Sequence, residues 1–258
     1  MNQKLRFAAL QSGSNGNCIY VESGDVRLLF DAGLTGAQTR WRLDELGVDI
    51  RTVQAVVISH AHNDHVRYAG VLQRQYDLPL WMTRGSLQRV WDTRILGQIS
   101  EPHLFHAGDT FTFGTVKVET FPTTHDVPEG ACFVVDNGMV RLGIMTDLGS
   151  KFFGLKELVM TLDGIYLESN YDADMLENGI YSDELKQRIR GGKGHLSNTE
   201  AAELLLQSGK RLRWACLGHL SAKNNSPEIV LETHRKILGH TLPLYIAPRH
   251  GVSEMLEL

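Results

Sequence analysis

The stretch ISHAHNDHV, residues 58–66, places His60, His62, Asp64 and His65 within six positions, directly after the apolar run VQAVV at 53–57. Residues two apart on an extended segment project the same way, so His60 and His62 at the mouth of a strand can grip one cation together. Asp64 and His65 fall where the chain turns into the next helix, and their side chains can reach a neighbouring cation. One histidine in an apolar context is usually a hydrogen-bonded core residue, but four such groups at a strand-to-helix turn are hard to bury without a metal. The spacing reads as two metals. Imidazole and carboxylate suit zinc, manganese or iron, and no thiolate ligand is at hand to single out zinc.

Outward from this segment the chain reads as strands covered by helices. LRFAAL (5–10), CIYVES (18–23) and VRLLFDAG (26–33) are strand-like, AQTRWRLDELG (37–47) is helical, and VQAVVIS (53–59) returns to strand. VRYAGVLQRQY (66–76) has helical spacing and LPLWMT (78–83) follows as a strand. The middle, DTFTFGTVKVETFP (109–122) and ACFVVDNGMVRLGIMTD (131–147), is hairpin sheet with Asn137-Gly138 at a turn. Later segments alternate between helix (172–190, 198–209, 227–239) and strand (213–220, 242–247). Two sheets packed face to face with helices outside, an α/β αββα sandwich, satisfy this order. With no linker or repeat, residues 1–258 are expected to form one domain.

Three further candidates follow apolar strands: His125 in FPTTHDVPEG, Asp147 in GIMTDLGS and His219 in ACLGHLSAKNN. Taken alone, Asp147 reads as a turn former or helix cap. The run LKQRIRGGKGHLSN (185–198) sets Lys193, His195, Ser197 and Asn198 at a helix start near several cations, an arrangement that suits a phosphate. SNTE is equally a capping box. Trp41, Trp81, Trp91 and Tyr171 could stack on bases, although aromatic burial favours the core for each. Asn224 and Asn225 read as turn residues or substrate contacts.

Composition narrows the partners. A net charge of -4 argues against a broad polyphosphate-binding surface, so any nucleic-acid contact is local. Cys18, Cys132 and Cys216 lie in apolar runs without a CxxC pair and read as buried thiols of a reducing cytoplasm. No apolar run approaches the roughly 18–20 residues that cross a bilayer, and no signal peptide is visible, so a soluble cytoplasmic protein with no membrane partner is expected.

HAHNDH with the later His, Asp and His resembles the metal-binding pattern of the metallo-beta-lactamase superfamily, across nearly the whole chain. The resemblance implies that His60, His62 and His125 hold one metal and Asp64, His65 and His219 a second, with Asp147 bridging. It also implies that Asp31 in LLFDAG supports the site without ligating. Within that superfamily, SGSNGNC (12–18), ESNYDADMLENGIY (168–181) and LGHLSAKNN (217–225) resemble the bacterial WalJ (YycJ) group, with Tyr171 where that group is expected to have histidine. The group implies a 5′-to-3′ DNA exonuclease related to RNase J and tRNase Z.

Two cations roughly 3.5–4 Å apart lower the pKa of a shared water and stabilise charge on the attacked group, so water rather than Ser59 is the expected nucleophile. Asp64 would orient it, while His195 would hold or protonate a phosphate oxygen. A small-molecule hydrolase and a di-iron redox protein are the competing readings on the same scaffold.

Overall fold

A computed structural model describes residues 4–258. The first sheet contains β1 (Leu5–Gln11), β2 (Cys18–Ser23), β3 (Val26–Phe30), β4 (Ala55–Val57), β5 (Leu80–Thr83) and β6 (His103–Phe105). The second contains β7 (Thr110–Phe113), β8 (Val116–Pro122), β9 (Ala131–Asp136), β10 (Arg141–Met145), β11 (Gly164–Glu168), β12 (Trp214–Gly218) and β13 (Leu244–Ile246), while β14 (Leu256–Glu257) returns to the first. Their orders are β14-β1-β2-β3-β4-β5-β6 and β13-β12-β11-β10-β9-β8-β7. Each sheet is mixed: β3 to β6 run parallel, as do β10 to β13, and the remaining pairs are antiparallel.

Both faces of the central strands are buried, so their sequences read as continuous apolar runs rather than as alternations. The register still separates the faces. In β3, Leu28 and Phe30 enter the core between the sheets, whereas Leu29 faces the helices; in β11, Tyr166 points inward and Ile165 and Leu167 outward. Phe7, Phe30, Phe133, Leu142 and Trp214 belong to the shared inner core, to which both sheets contribute.

Helices α1 (Gly36–Glu45), α2 (Asn63–Val66), α3 (Ala69–Tyr76) and α4 (Arg84–Thr93) cover the first sheet, with Leu43, Val66, Leu72, Leu87 and Val90 in its outer core. On the second sheet lie α5 (Leu155–Val159), α8 (Asn198–Ser208) and α9 (Pro227–Leu238), while α6 (Ala173–Asn178) and α7 (Asp183–Arg190) lead to its site edge. This is the expected αββα arrangement. Cys18, Cys132 and Cys216 are buried free thiols, one in each of the three cores. No helix among the described residues is long and apolar enough to cross a membrane.

Two aromatic expectations fail. Trp41 and Trp91 are exposed rather than buried, at 56% and 57%. Helix α1 faces its sheet through Thr39, Arg42 and Leu43, and α4 through Ser86, Leu87 and Val90, which leaves both indoles off the apolar stripe. Trp81 is part-buried and stacks between His103 and Phe111, each centroid 4.5 Å away.

Candidate metal centre

Six segments converge on one edge of the sandwich because the strands that precede them end there. Asp31 follows β3, His60 to His65 follow β4, His125 follows β8, Asp147 follows β10, Glu168 ends β11 and His219 follows β12. Open parallel sheets bind ligands at the carboxyl ends of their strands. Three of these residues sit in left-handed backbone: Asp31 at φ 66°, Asp147 at φ 47° and His219 at φ 53°. Such conformations cost a non-glycine residue of the order of 1–3 kcal/mol and persist where surrounding structure enforces them. Gly33 allows a close crossing nearby, since a Cβ there would lie 1.9 Å from the Asp64 carbonyl oxygen.

His60, His62, His65, His125, Asp64, Asp147 and His219 all meet at this edge. The His62 ring centroid is 4.7 Å from that of His60 and 5.0 Å from that of His125, and the His60 and His65 centroids are 4.2 Å apart. Asp147 Oδ2 is 2.7 Å from His65 Nε2, and its Oδ1 is 3.0 Å from His219 Nδ1 and 3.1 Å from His195 Nδ1. Asp64 Oδ2 lies 3.5 Å from His219 Nε2. Within this cluster, His60, His62 and His125 form one group able to hold an ion; His60, His65 and Asp147 form another, and Asp64, His65 and His219 a third.

Supporting hydrogen bonds leave ring nitrogens free for a cation. Ser59 Oγ is 2.8 Å from Asp31 Oδ1 and 2.9 Å from His60 Nδ1. Its single proton goes to the carboxylate, so His60 Nδ1–H donates to the hydroxyl oxygen and Nε2 carries the lone pair. That buried Nε2 has no hydrogen-bond partner. His125 Nδ1 donates to the Gly194 carbonyl at 2.8 Å, and His65 Nδ1 donates to Asp31 at 2.6 Å. An orphaned buried nitrogen and ligand rings fixed from behind fit a metal cage. Asp31 thus bonds to the rings' supporting sides. Asp31→Ala is expected to weaken metal binding by about 10- to 100-fold, measured by competition with a chromophoric chelator; unchanged affinity would remove this role.

Electrostatics without a metal show competition for the same protons. Burial disfavours charge on His65, but Asp31, Asp147 and Asp64 outweigh it and hold its pKa well above the usual histidine value. Burial likewise opposes charging of His219 and His195, but Asp147 dominates for the first and Asp147 with Glu168 for the second, raising them to about 9 and about 10. Burial and neighbouring histidines lower His60 well below its usual value and His62 to about 4. Burial would raise Asp147, yet His219 and His65 keep it far below the ordinary carboxylate range.

The cluster lies in a cleft of about 270 Å³ whose lining includes Ser14, Asp126, Tyr181, Leu185, Arg188 and His195. His195 Nδ1 is also 3.4 Å from Glu168 Oε2, and Glu168 Oε1 accepts from Leu196 N at 2.6 Å. The other candidates from that run have different surroundings. Ser197 and Glu200 form the capping box of α8, and buried Asn198 bonds Ser169 at 2.7 Å and Asn225 at 3.0 Å. Lys193 is exposed. Asn224 and Asn225 are buried, and Asn225 donates to the Ser169 and Asn170 carbonyls, bracing the edge near His219. Tyr171 is buried and bridges to Ser197.

Glu168, Asn17 and Asn170 were not among the sequence candidates. Asn17 Nδ2 is 3.0 Å from His65 Nε2, and Asn170 donates to the His219 carbonyl at 2.7 Å. Glu168 did carry a signal: like Asp31 and Asp147, it is an acid closing an apolar strand run, in GIYLES.

The family model described as the metallo-beta-lactamase superfamily matches residues 12–149, which hold all of the cage except His219. The chain belongs to the metallo-beta-lactamase superfamily. Its relatives in this superfamily include Exodeoxyribonuclease WalJ of Streptococcus pneumoniae, 36% identical over 230 residues, covering 87% of this chain and 85% of the relative. Exodeoxyribonuclease YycJ of Bacillus anthracis is 32% identical over 242 residues, covering 91% and 89% respectively. The WalJ/YycJ resemblance read from the sequence is thereby borne out. Among solved structures, the metallo-beta-lactamase fold protein YhfI of Bacillus subtilis superposes with a TM-score of 0.76 at 18% identity, covering 100% of both chains, which shows the shared fold.

Proposed function

We propose that this superfamily member is a two-metal DNA exonuclease, folded as one domain around the core its sheets share, that hydrolyses phosphodiester bonds from the 5′ end. The carrying observation is the histidine–aspartate cage on the floor of a cleft, in a chain whose near-full-length relatives are named exodeoxyribonucleases. His60, His62 and His125 would hold one divalent cation, Asp64, His65 and His219 the other, and Asp147 both. Zinc, manganese and iron all match imidazole and carboxylate donors. Such a pair of metals supplies activated water and neutralises charge at phosphorus.

The chain's own residues then do four things. Asp31, Ser59 and the Gly194 carbonyl hold the imidazoles in the tautomer that presents Nε2. Asp64, at the cleft wall, orients the attacking water. His195, its Nδ1 between Asp147 and Glu168, which in the metal-free protein favour its charged form, would deliver a proton to the departing oxygen. Leu185 and Ile189 of α7 limit water where they line the cleft.

The test incubates purified protein with end-labelled single- and double-stranded DNA and RNA, plus manganese or zinc, beside a cyclic nucleotide. Progressive shortening of DNA from its 5′ end is expected. Turnover of the cyclic nucleotide with every polymer intact would instead establish a small-molecule hydrolase.

Metal uptake should also depend on pH. In the metal-free protein carboxylates favour the protonated forms of both His65, raised well above the ordinary histidine value, and His219, raised to about 9. A cation must displace those protons, so binding tightens as pH rises towards 9, and about two protons per protein should be released at pH 7. A weakly buffered indicator assay during zinc titration measures this; zinc binding without proton release would remove both residues from the ligand set.

A further inference from the structure

Part of the cleft lining is apolar in a way that the metal chemistry does not use. Leu185 and Ile189 of α7 and Tyr181, which precedes its N-cap Ser182, all line the cleft, half-buried. Four-residue spacing sets Leu185 and Ile189 on one face of α7, and Tyr181 joins them in the cleft lining. Tyr181 supplies an aromatic ring to this lining.

At the same rim lies a cation of unusual standing. Arg188 is neutralised by Asp126 at 2.7 Å and Arg190 by Glu177 at 2.8 Å. Arg249 has no carboxylate partner among the described residues. Its guanidinium donates to Asn15 Oδ1 at 2.9 Å, to Ser14 Oγ at 3.5 Å and to the Leu220 carbonyl, and Ser14 and Leu220 both line the cleft. Gly13 allows this approach, since a Cβ there would stand 2.9 Å from Arg249 Nη2. Arg249 is half-buried and held by neutral acceptors. A half-buried guanidinium without a counter-charge, bonded to two residues of the lining of a cleft that also presents the Tyr181 ring, matches one nucleotide: phosphate on the cation and base on the ring.

We propose that Tyr181 and Arg249 form a nucleotide subsite at the rim of the cleft, which seats the end of a DNA strand next to the metal cage. The subsite rests on the nuclease reading and adds the two contacts that position the polymer. Tyr181 stacks on a base regardless of its identity, which suits an enzyme that must accept each successive nucleotide. Arg249 provides the local positive charge that an acidic chain requires in place of a broad basic surface.

The test uses the metal-loaded protein and single strands with phosphorothioate linkages, carrying 2-aminopurine at the 5′ or the 3′ terminus. Wild type should quench the fluorescence of one of the two. Tyr181→Ala should abolish that quenching and weaken binding about tenfold or more, and Tyr181→Phe should restore both. Arg249→Gln keeps donors for Asn15 and Leu220 but removes the charge, so the slope of log affinity against log salt should shrink by about 0.7, with Arg249→Lys retaining the wild-type slope. Equal quenching by wild type and Tyr181→Ala, no quenching at either terminus, or an unchanged salt slope in Arg249→Gln would overturn the subsite. Degradation of ordinary DNA by wild type alongside any of those results would remove the subsite and leave the nuclease reading standing.

Discussion

Asp147→Asn should lower DNA hydrolysis by at least about a thousandfold and reduce the metal content of the purified protein. Asp147 is buried, and its two oxygens lie within 3.1 Å of His65, His195 and His219. Asparagine preserves the shape and removes the charge, so a carboxylate proposed to serve both cations is lost at once. The metal-free protein should suffer as well. Breaking a buried ion pair costs about 3–5 kcal/mol, because the partner charges stay behind unpaired. Since the Asp147 pKa is depressed, its stabilisation in the metal-free wild type is present above the ordinary carboxylate range and disappears only as pH falls through the folded-state value, well below 3.8. Thermal melts of both proteins, with metal analysis and kcat/KM, decide the matter. A variant with full metal occupancy and wild-type turnover would dismantle the proposed bridge.

His195→Ala should reduce kcat by about 10²- to 10⁴-fold while metal occupancy stays at the wild-type level. This separation matters because His195 could join Asp147, Glu168 and His219 as an ion-holding group on distance alone. In the metal-free protein the cost of burying its charge is offset by Asp147 and Glu168, which raise its pKa to about 10, and the proposed donor role requires that proton to be kept when metal is bound. Glu168→Gln removes one of those offsets, so His195 should lose its proton at lower pH and the basic limb of the kcat profile should move down. Loss of metal in His195→Ala would make it a ligand, and an unmoved basic limb in Glu168→Gln would end the proton-donor role.

The sandwich was legible because strand and helix signals arrive in an order that few layer arrangements satisfy, and because ligands cluster within one segment at 60–65. The distant ligands were legible only as residues just past apolar strands, and that rule also covers Glu168. Side-chain direction was not. Ser197 and Asn198 read as phosphate contacts from their place at a helix start, yet their side chains are engaged in a cap and a buried amide network. Trp41 and Trp91 were misjudged because average aromatic burial says nothing about which helical face a given residue occupies. Tyr181 escaped notice because it precedes α7, so its meeting with Leu185 and Ile189 in the cleft lining becomes visible only in the folded chain.

The left-handed turns at Asp31, Asp147 and His219 set two selection pressures against each other. Glycine would relax the chain at each position, so a library screened for heat resistance alone should drift towards glycine there and lose its chemistry. A library screened for turnover must instead keep three awkward corners, and should recover robustness through substitutions in the sheets that hold those corners in place.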